Sequence, residues 1–121
     1  MDVLVVDDEA LVREIVSEGL TDDGLSVVQA PSAEHALALA ERAGVPEVVV
    51  TDVDLGHGMS GLALAEEAHR RWPEAGVVIM TGNPAGVQAH SFGQQERLLT
   101  KPFSDARLVS MVRELMGRSQ R

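Results

Sequence analysis

Val48-Val49-Val50-Thr51-Asp52 is a run that buries every residue it can and then stops at a carboxylate. A continuous β-branched run without polar alternation reads as a strand covered on both faces, as in a parallel sheet between helices. Three further runs have the same form but end on different groups. Val3-Leu4-Val5-Val6 ends on Asp7-Asp8, Val77-Val78-Ile79-Met80 on Thr81, and Leu98-Leu99-Thr100 on Lys101-Pro102. Open parallel sheets bind ligands beyond the carboxyl ends of their strands. Two kinds of charge and a hydroxyl are therefore expected to meet at one edge.

The stretches between these runs carry helical spacing. Leu11, Val12, Ile15, Val16 and Leu20 predict a helix from about Glu9 to Thr21, ended by Asp22-Asp23-Gly24. Leu25 to Ala30 predicts a second strand, and its close on Gln29-Ala30-Pro31, without a charged group, is that of an edge strand away from the chemistry. Ser32 is the expected N-cap of a helix from Ala33 to Ala43. The central strand, Glu47 to Asp52, leads through the loop Val53 to Ser60 into a helix that runs to about Trp72, where Pro73 stops it.

Gly76 to Thr81 is the fourth strand. From Gly82 to Gln95 the pattern weakens, because Gly82, Pro84, Gly86 and Gly93 leave only Val87 and Phe92 as sizeable apolar anchors, so the helix expected there is short or mobile. Glu96 to Thr100 forms the fifth strand. Leu108, Val109, Val112, Leu115 and Met116 line one face of a final helix, and Arg107, Arg118 and Arg121 share another, where such residues more often complement the helix dipole than touch a partner. Five strands alternating with five helices give an α/β, doubly wound, flavodoxin-like fold with strand order 2-1-3-4-5. The first and third strands are then neighbours at the switch point, which sets Asp7-Asp8 against Asp52, with Thr81 and Lys101 following from the next two strand ends.

At 121 residues the chain fits one domain, 1–121, without an effector module. A hydrophobic fraction of 45% against 24% charged residues is that of a water-soluble globular chain. No apolar run approaches the roughly 20 residues of a membrane span. Met1-Asp2 enters the first strand without a signal-like segment and there is no cysteine, so the cytoplasm is the expected compartment. The net charge of -9 is lopsided: residues 1–60 hold 13 Asp/Glu against two Arg, whereas residues 61–121 hold six against eight Lys/Arg. This field disfavours direct contact with nucleic acid or anionic lipid, and suits a cation or a basic partner surface.

Three carboxylates brought together repel, and one of them is driven to take up a proton unless a cation is present. Oxygen ligands without His or Cys at ligand spacing match Mg2+, which commonly keeps waters and a substrate phosphate in its shell. Lys101, the single lysine among ten Lys/Arg, and the hydroxyl of Thr81 suit the equatorial oxygens of a phosphoryl group in transfer. Asp52 is then the natural nucleophile, since a carboxylate can attack phosphorus to give an acyl phosphate. Pro102 permits a cis peptide after the lysine.

With these residues the whole chain resembles the receiver domains of bacterial two-component response regulators, as found in stand-alone regulators and hybrid kinases. The resemblance implies that Asp7 and Asp8 hold Mg2+, together with Asp52 and the backbone carbonyl of Asp54. It makes Asp52 the phospho-acceptor, Thr81 and Lys101 the groups on the phosphoryl oxygens, and Lys101-Pro102 a cis peptide. The side chains of Asp54 and Asn83 fall at positions that tune the lifetime of the phosphoryl group. The implied donor is a phosphohistidine of a histidine kinase or phosphotransfer protein, and the implied output is a downstream protein target met by the weak segment, the fifth strand and the last helix. Leu98 departs from the pattern, for it stands where such domains often carry a switch aromatic.

Other readings of the same residues are a pseudo-receiver that binds partners without phosphorylation, and a small Mg2+-dependent phosphatase of the haloacid dehalogenase type, which Asp52-Val53-Asp54 resembles. In that phosphatase family the nucleophile strand comes first, whereas Asp7-Asp8 precede Asp52 here. Gly56-His57-Gly58-Met59-Ser60-Gly61 also fits a dinucleotide fingerprint literally. Asp52 and Asp54 beside it would repel a pyrophosphate.

Overall fold

The computed structural model describes residues 1–88 and 90–119, with 118 and 119 as backbone. Its elements are β1 (Val3–Val6), α1 (Ala10–Asp22), β2 (Val27–Ala30), α2 (Ala33–Ala43), β3 (Val48–Asp52), α3 (Gly61–Arg71), β4 (Gly76–Thr81), a 3-10 turn (Pro84–Val87), β5 (Glu96–Thr100) and α4 (Asp105–Ser119). The strands form one parallel sheet in the order β2-β1-β3-β4-β5. This is the flavodoxin-like arrangement that the alternation predicts.

The apolar runs divide cleanly because side chains alternate across a strand. Val3, Val5, Val48, Val50, Val78, Met80 and Leu99 face α1 and α4, where they meet Val16, Leu20, Leu108, Val112 and Leu115. Leu4, Val6, Val49, Val77 and Ile79 face the opposite way, onto the alanine-rich α2 and α3 through Ala36, Leu37, Leu64 and Ala68. Every residue of β1, β3 and β4 is buried. A strand covered twice has no polar position to spare, and so its chemistry is confined to its end.

Three serines cap helices: Ser32 Oγ accepts from the His35 N–H, Ser60 Oγ from the Ala63 N–H and Ser104 Oγ from the Arg107 N–H, each at 3.1 Å. The first is the N-cap expected from sequence. Among the described residues there are four α-helices, not five. Between β4 and β5 the expected helix is reduced to the single turn Pro84–Val87, with only Val87 of that turn buried. Glycines and a proline cost a helix interior about 1 and 3 kcal/mol each, and this segment has no apolar face whose burial would offset them.

β2 also begins two residues later than its apolar pattern suggests, at Val27. The backbone of Ser26 instead bonds to Asp2, whose N–H and that of Val3 both reach the Ser26 carbonyl at 3.0 Å. On the last helix Arg107 is exposed, whereas Arg121 and the side chain of Arg118 lie outside the described residues. No helix among the described residues is long and apolar enough to cross a membrane.

Candidate functional site at the strand ends

The sheet register fixes the site. Val6 pairs with Thr51, so Asp7 leaves β1 beside Asp52 at the end of β3. Thr81 pairs with Thr100, and the Lys101 N–H donates to the Thr81 carbonyl at 2.8 Å, which extends the β4–β5 ladder to the lysine. The Lys101-Pro102 peptide is cis. Asp7, Asp52 and Thr81 are buried, Lys101 is half-buried, and Asp8, Asp54 and Asn83 are exposed at the rim.

Asp52 is held from several sides. Its Oδ2 accepts from Lys101 Nζ at 3.0 Å, and its Oδ1 from the Asp54 N–H at 3.3 Å. Its own carbonyl accepts from Thr51 Oγ1 at 2.9 Å. The helix that follows starts almost on top of that carbonyl: a Cβ on Gly61 would lie 1.9 Å from it, so only glycine lets α3 begin there. The end of β3, the lysine and the start of α3 are thus one packed unit.

Asp7 is less well compensated. Its Oδ1 accepts from the Glu9 N–H at 2.9 Å, but its Oδ2 is buried without a hydrogen-bond partner. Burial pushes its pKa up from 3.8 to about 6, and the negative charges of Asp52 and Asp8 push the same way, against the Glu9 N–H and Lys101. An orphaned carboxylate oxygen in an acidic pocket is a donor set that wants a cation, and the oxygens here suit Mg2+. No group of three or more His, Cys, Asp or Glu side chains among the described residues is arranged to hold a metal ion unaided. Mg2+ does not need such a cage, because it is commonly held by one or two carboxylates with waters and a phosphate completing the shell.

Thr81 and Asn83 sit across from the carboxylates, and Thr81 Oγ1 accepts from the Asn83 N–H at 3.0 Å. Leu98, in register with Ile79, is half-buried and packs against the α2 and α3 side of the core. All the residues singled out from sequence for chemistry therefore lie at the carboxyl ends of β1, β3, β4 and β5 or in the loops that follow them.

Two contacts at the site have no sequence signal of their own. Arg13 of α1 reaches back so that its Nη1 donates to the Asp7 carbonyl at 2.8 Å while its Nε donates to Gln29 Oε1 at 3.2 Å. β2 is the edge strand that its sequence predicts, and this arginine ties it to the acidic loop. Glu34 at the start of α2 accepts from the Met59 N–H at 2.9 Å and anchors the loop after β3. As for the glycine fingerprint in that loop, Gly56 lies against Asp8 and Gly58 against Glu34, so both face carboxylates.

Residues 3–113 match the family model described as the response regulator receiver domain. The transcriptional regulatory protein FixJ of Azorhizobium caulinodans is 40% identical over 97% of this chain and 56% of its own length. The crystal structure of the receiver domain of NtrX from Brucella abortus shares 30% identity and superposes with a TM-score of 0.82 over 96% of this chain and 98% of that one. A response regulator receiver protein from Sinorhizobium medicae has the same fold, with a TM-score of 0.89 at 24% identity over 98% and 96% of the two chains. The chain spans about half the length of FixJ and about a quarter of the NtrX-like regulators of Rickettsia that it also matches. With strand order, strand-end groups and family match all in agreement, this chain belongs to the response regulator receiver domain family.

Proposed function

We propose that this receiver domain accepts a phosphoryl group on Asp52 from a phosphohistidine of a histidine kinase or phosphotransfer protein, with Mg2+ as the cofactor. One observation carries the reading: Asp52 ends β3 with Lys101 Nζ 3.0 Å from its Oδ2, next to the buried, unpartnered Oδ2 of Asp7. A nucleophilic carboxylate, a fixed cation and an unsatisfied anionic ligand are the three groups that phosphoryl transfer to a carboxylate requires.

In this reading an Asp52 oxygen attacks phosphorus, the P–N bond to the donor imidazole breaks, and an acyl phosphate remains on Asp52. Mg2+, when bound, neutralises charge on the phosphoryl oxygens. Asp7 and Asp8 would hold it with Asp52 and the Asp54 carbonyl. Lys101 exchanges its contact with Asp52 for a phosphoryl oxygen, and Thr81 offers its hydroxyl proton to another. The Asn83 N–H, already on Thr81 Oγ1, leaves that proton free to point at the phosphoryl group. The side chains of Asp54 and Asn83 stand at the rim, where they govern the approach of the water that later hydrolyses the acyl phosphate. No external substrate is turned over.

The new charge and acceptor oxygens pull on Thr81 and Lys101, which end the strands flanking the segment 82–95. Output then passes to a protein target through that segment, β5 and α4. With Leu98 packed on the core, the readout relies on the main chain after Thr81 rather than on an aromatic rotamer. The test is Mg2+-dependent phosphorylation by a small acyl phosphate, followed by intact mass. Wild type is expected to gain one phosphoryl group and Asp52→Asn none; an unmodified wild type, as a partner-binding pseudo-receiver would give, overturns the proposal.

A further inference from the structure

The loop between β3 and α3 lies against a carboxylate at each end. At the site end Gly56, with φ of +75°, lies so close to Asp8 that a Cβ would stand 3.0 Å from Asp8 Oδ2, and its N–H donates to Asp54 Oδ1 at 3.0 Å. At the far end Glu34 Oε2 accepts from the Met59 N–H at 2.9 Å, and a Cβ on Gly58, whose φ is +80°, would stand 2.8 Å from the same oxygen. Residues 54–59 thus form a strap that runs from beside Asp8 to α2, its outer anchor.

The anchor is a charged acceptor, since the Met59 N–H holds the Glu34 carboxyl below the usual carboxylate range. Glu34 is also one residue into the first turn of α2, whose N-terminus favours a negative charge. Two glycines in left-handed conformations give the strap wide backbone freedom, and every state it samples must be given up when a ligand fixes Asp54 and Asp8. An external anchor removes part of that freedom beforehand.

Resting on the phospho-acceptor reading above, we propose that Glu34 is a positioning residue for the Mg2+ pocket, acting through its hydrogen bond to the Met59 N–H to preset the Asp54 carbonyl and the Asp8 carboxylate. It touches neither cation nor phosphoryl group. Its effect is on how much ordering is left to do when they arrive.

The test uses the full chain as wild type, Glu34→Ala and Glu34→Gln, titrated with Mg2+ and followed by backbone amide NMR, with amide exchange measured at Met59. Glu34→Ala is expected to speed exchange at Met59 and to raise the Mg2+ Kd about three- to tenfold, the range that one exposed hydrogen bond sustains. Glu34→Gln keeps a side-chain oxygen for the Met59 N–H and is expected to bind Mg2+ nearly as wild type. Equal Kd values for wild type and Glu34→Ala overturn the proposal. So does an equal shift in both variants, because that would report the lost charge instead of the lost contact. If wild type itself bound no Mg2+, the phospho-acceptor reading would fail first and take the anchor with it.

Discussion

The end of β3 and the segment from residue 82 to 95 lie one strand apart, yet they are built on opposite principles. At the end of β3 the backbone is fixed by buried strands on both sides, by the Thr51 hydroxyl and by a helix start that tolerates no Cβ at position 61. From residue 82 to 95 one 3-10 turn rests on Val87, and further on Glu96 takes over the role of packing. Glu96 Oε1 accepts from the Gly93 N–H at 2.8 Å, and its Oε2 lies 3.1 Å from His90 Nε2, with His90 set edge-on against Phe92. Chemistry needs groups held still, and signalling needs a surface that two arrangements can share. Under the proposed function the two regions divide the work, with covalent change at the rigid end and response in the sparsely packed segment.

Lys101→Met probes the rigid end most severely. It keeps the stem but removes the charge on Asp52 Oδ2, so the rate of phosphorylation by a small acyl phosphate is expected to fall on the order of a hundredfold or more. A loss under tenfold would mean that the strand-end cation does not act on the phosphoryl group. Next in size is Gly61→Ala. Its Cβ cannot coexist with the Asp52 carbonyl, and relief requires α3 or the strand end to move, at a cost of about 3 kcal/mol in urea-unfolding free energy. Stability within error of wild type would show that β3 and α3 are not one packed unit.

Asp7 supplies a subtler test, through pH. Its folded pKa of about 6 lies above the ordinary 3.8, so in metal-free protein the native state holds a proton that the unfolded chain releases. The sign follows: this group's contribution is intact below pH 3.8 and is lost as pH rises through about 6. Read as the difference between wild type and Asp7→Asn, the loss should be about 2 to 3 kcal/mol in urea unfolding. Saturating Mg2+ is expected to shrink it, with proton release on binding. A flat difference curve without metal would remove the case for a strained carboxylate. The smallest effect is expected in the other region: Glu96→Gln should cost about 1 kcal/mol or less and speed amide exchange across residues 90–95. Phosphorylation should be unchanged, and a large slowing of it would dissolve the contrast between the two regions.

Sequence reveals these regions unequally, for the same physical reason. Residues buried on both faces leave long apolar runs, and the group that breaks each run is visible: Asp7, Asp52, Thr81 and Lys101 were all legible as strand ends, and the strand order followed from the alternation together with the order common to five-stranded doubly wound sheets. Helices α1, α2 and α3 and strands β4 and β5 were also readable to within about two residues, the usual scatter at element ends. The segment 82–95 was legible only as a weakness. Without an apolar period, nothing in its composition selects a 3-10 turn and a Glu96 clasp over a short helix. Arg13 and Glu34 escaped for another reason. Their partners, the Asp7 carbonyl and the Met59 N–H, are backbone groups that carry no side-chain signature, and in the case of Glu34 the separation is 25 residues.

The most direct test of the phospho-acceptor reading is to locate the phosphoryl group. Wild-type protein treated with a small acyl phosphate and Mg2+ would be reduced with borohydride, which converts a phosphoaspartate to homoserine, and then mapped by peptide mass spectrometry. The expected result is homoserine at position 52 alone, absent when Mg2+ is chelated. Homoserine at any other aspartate, or equal conversion with and without Mg2+, would contradict it.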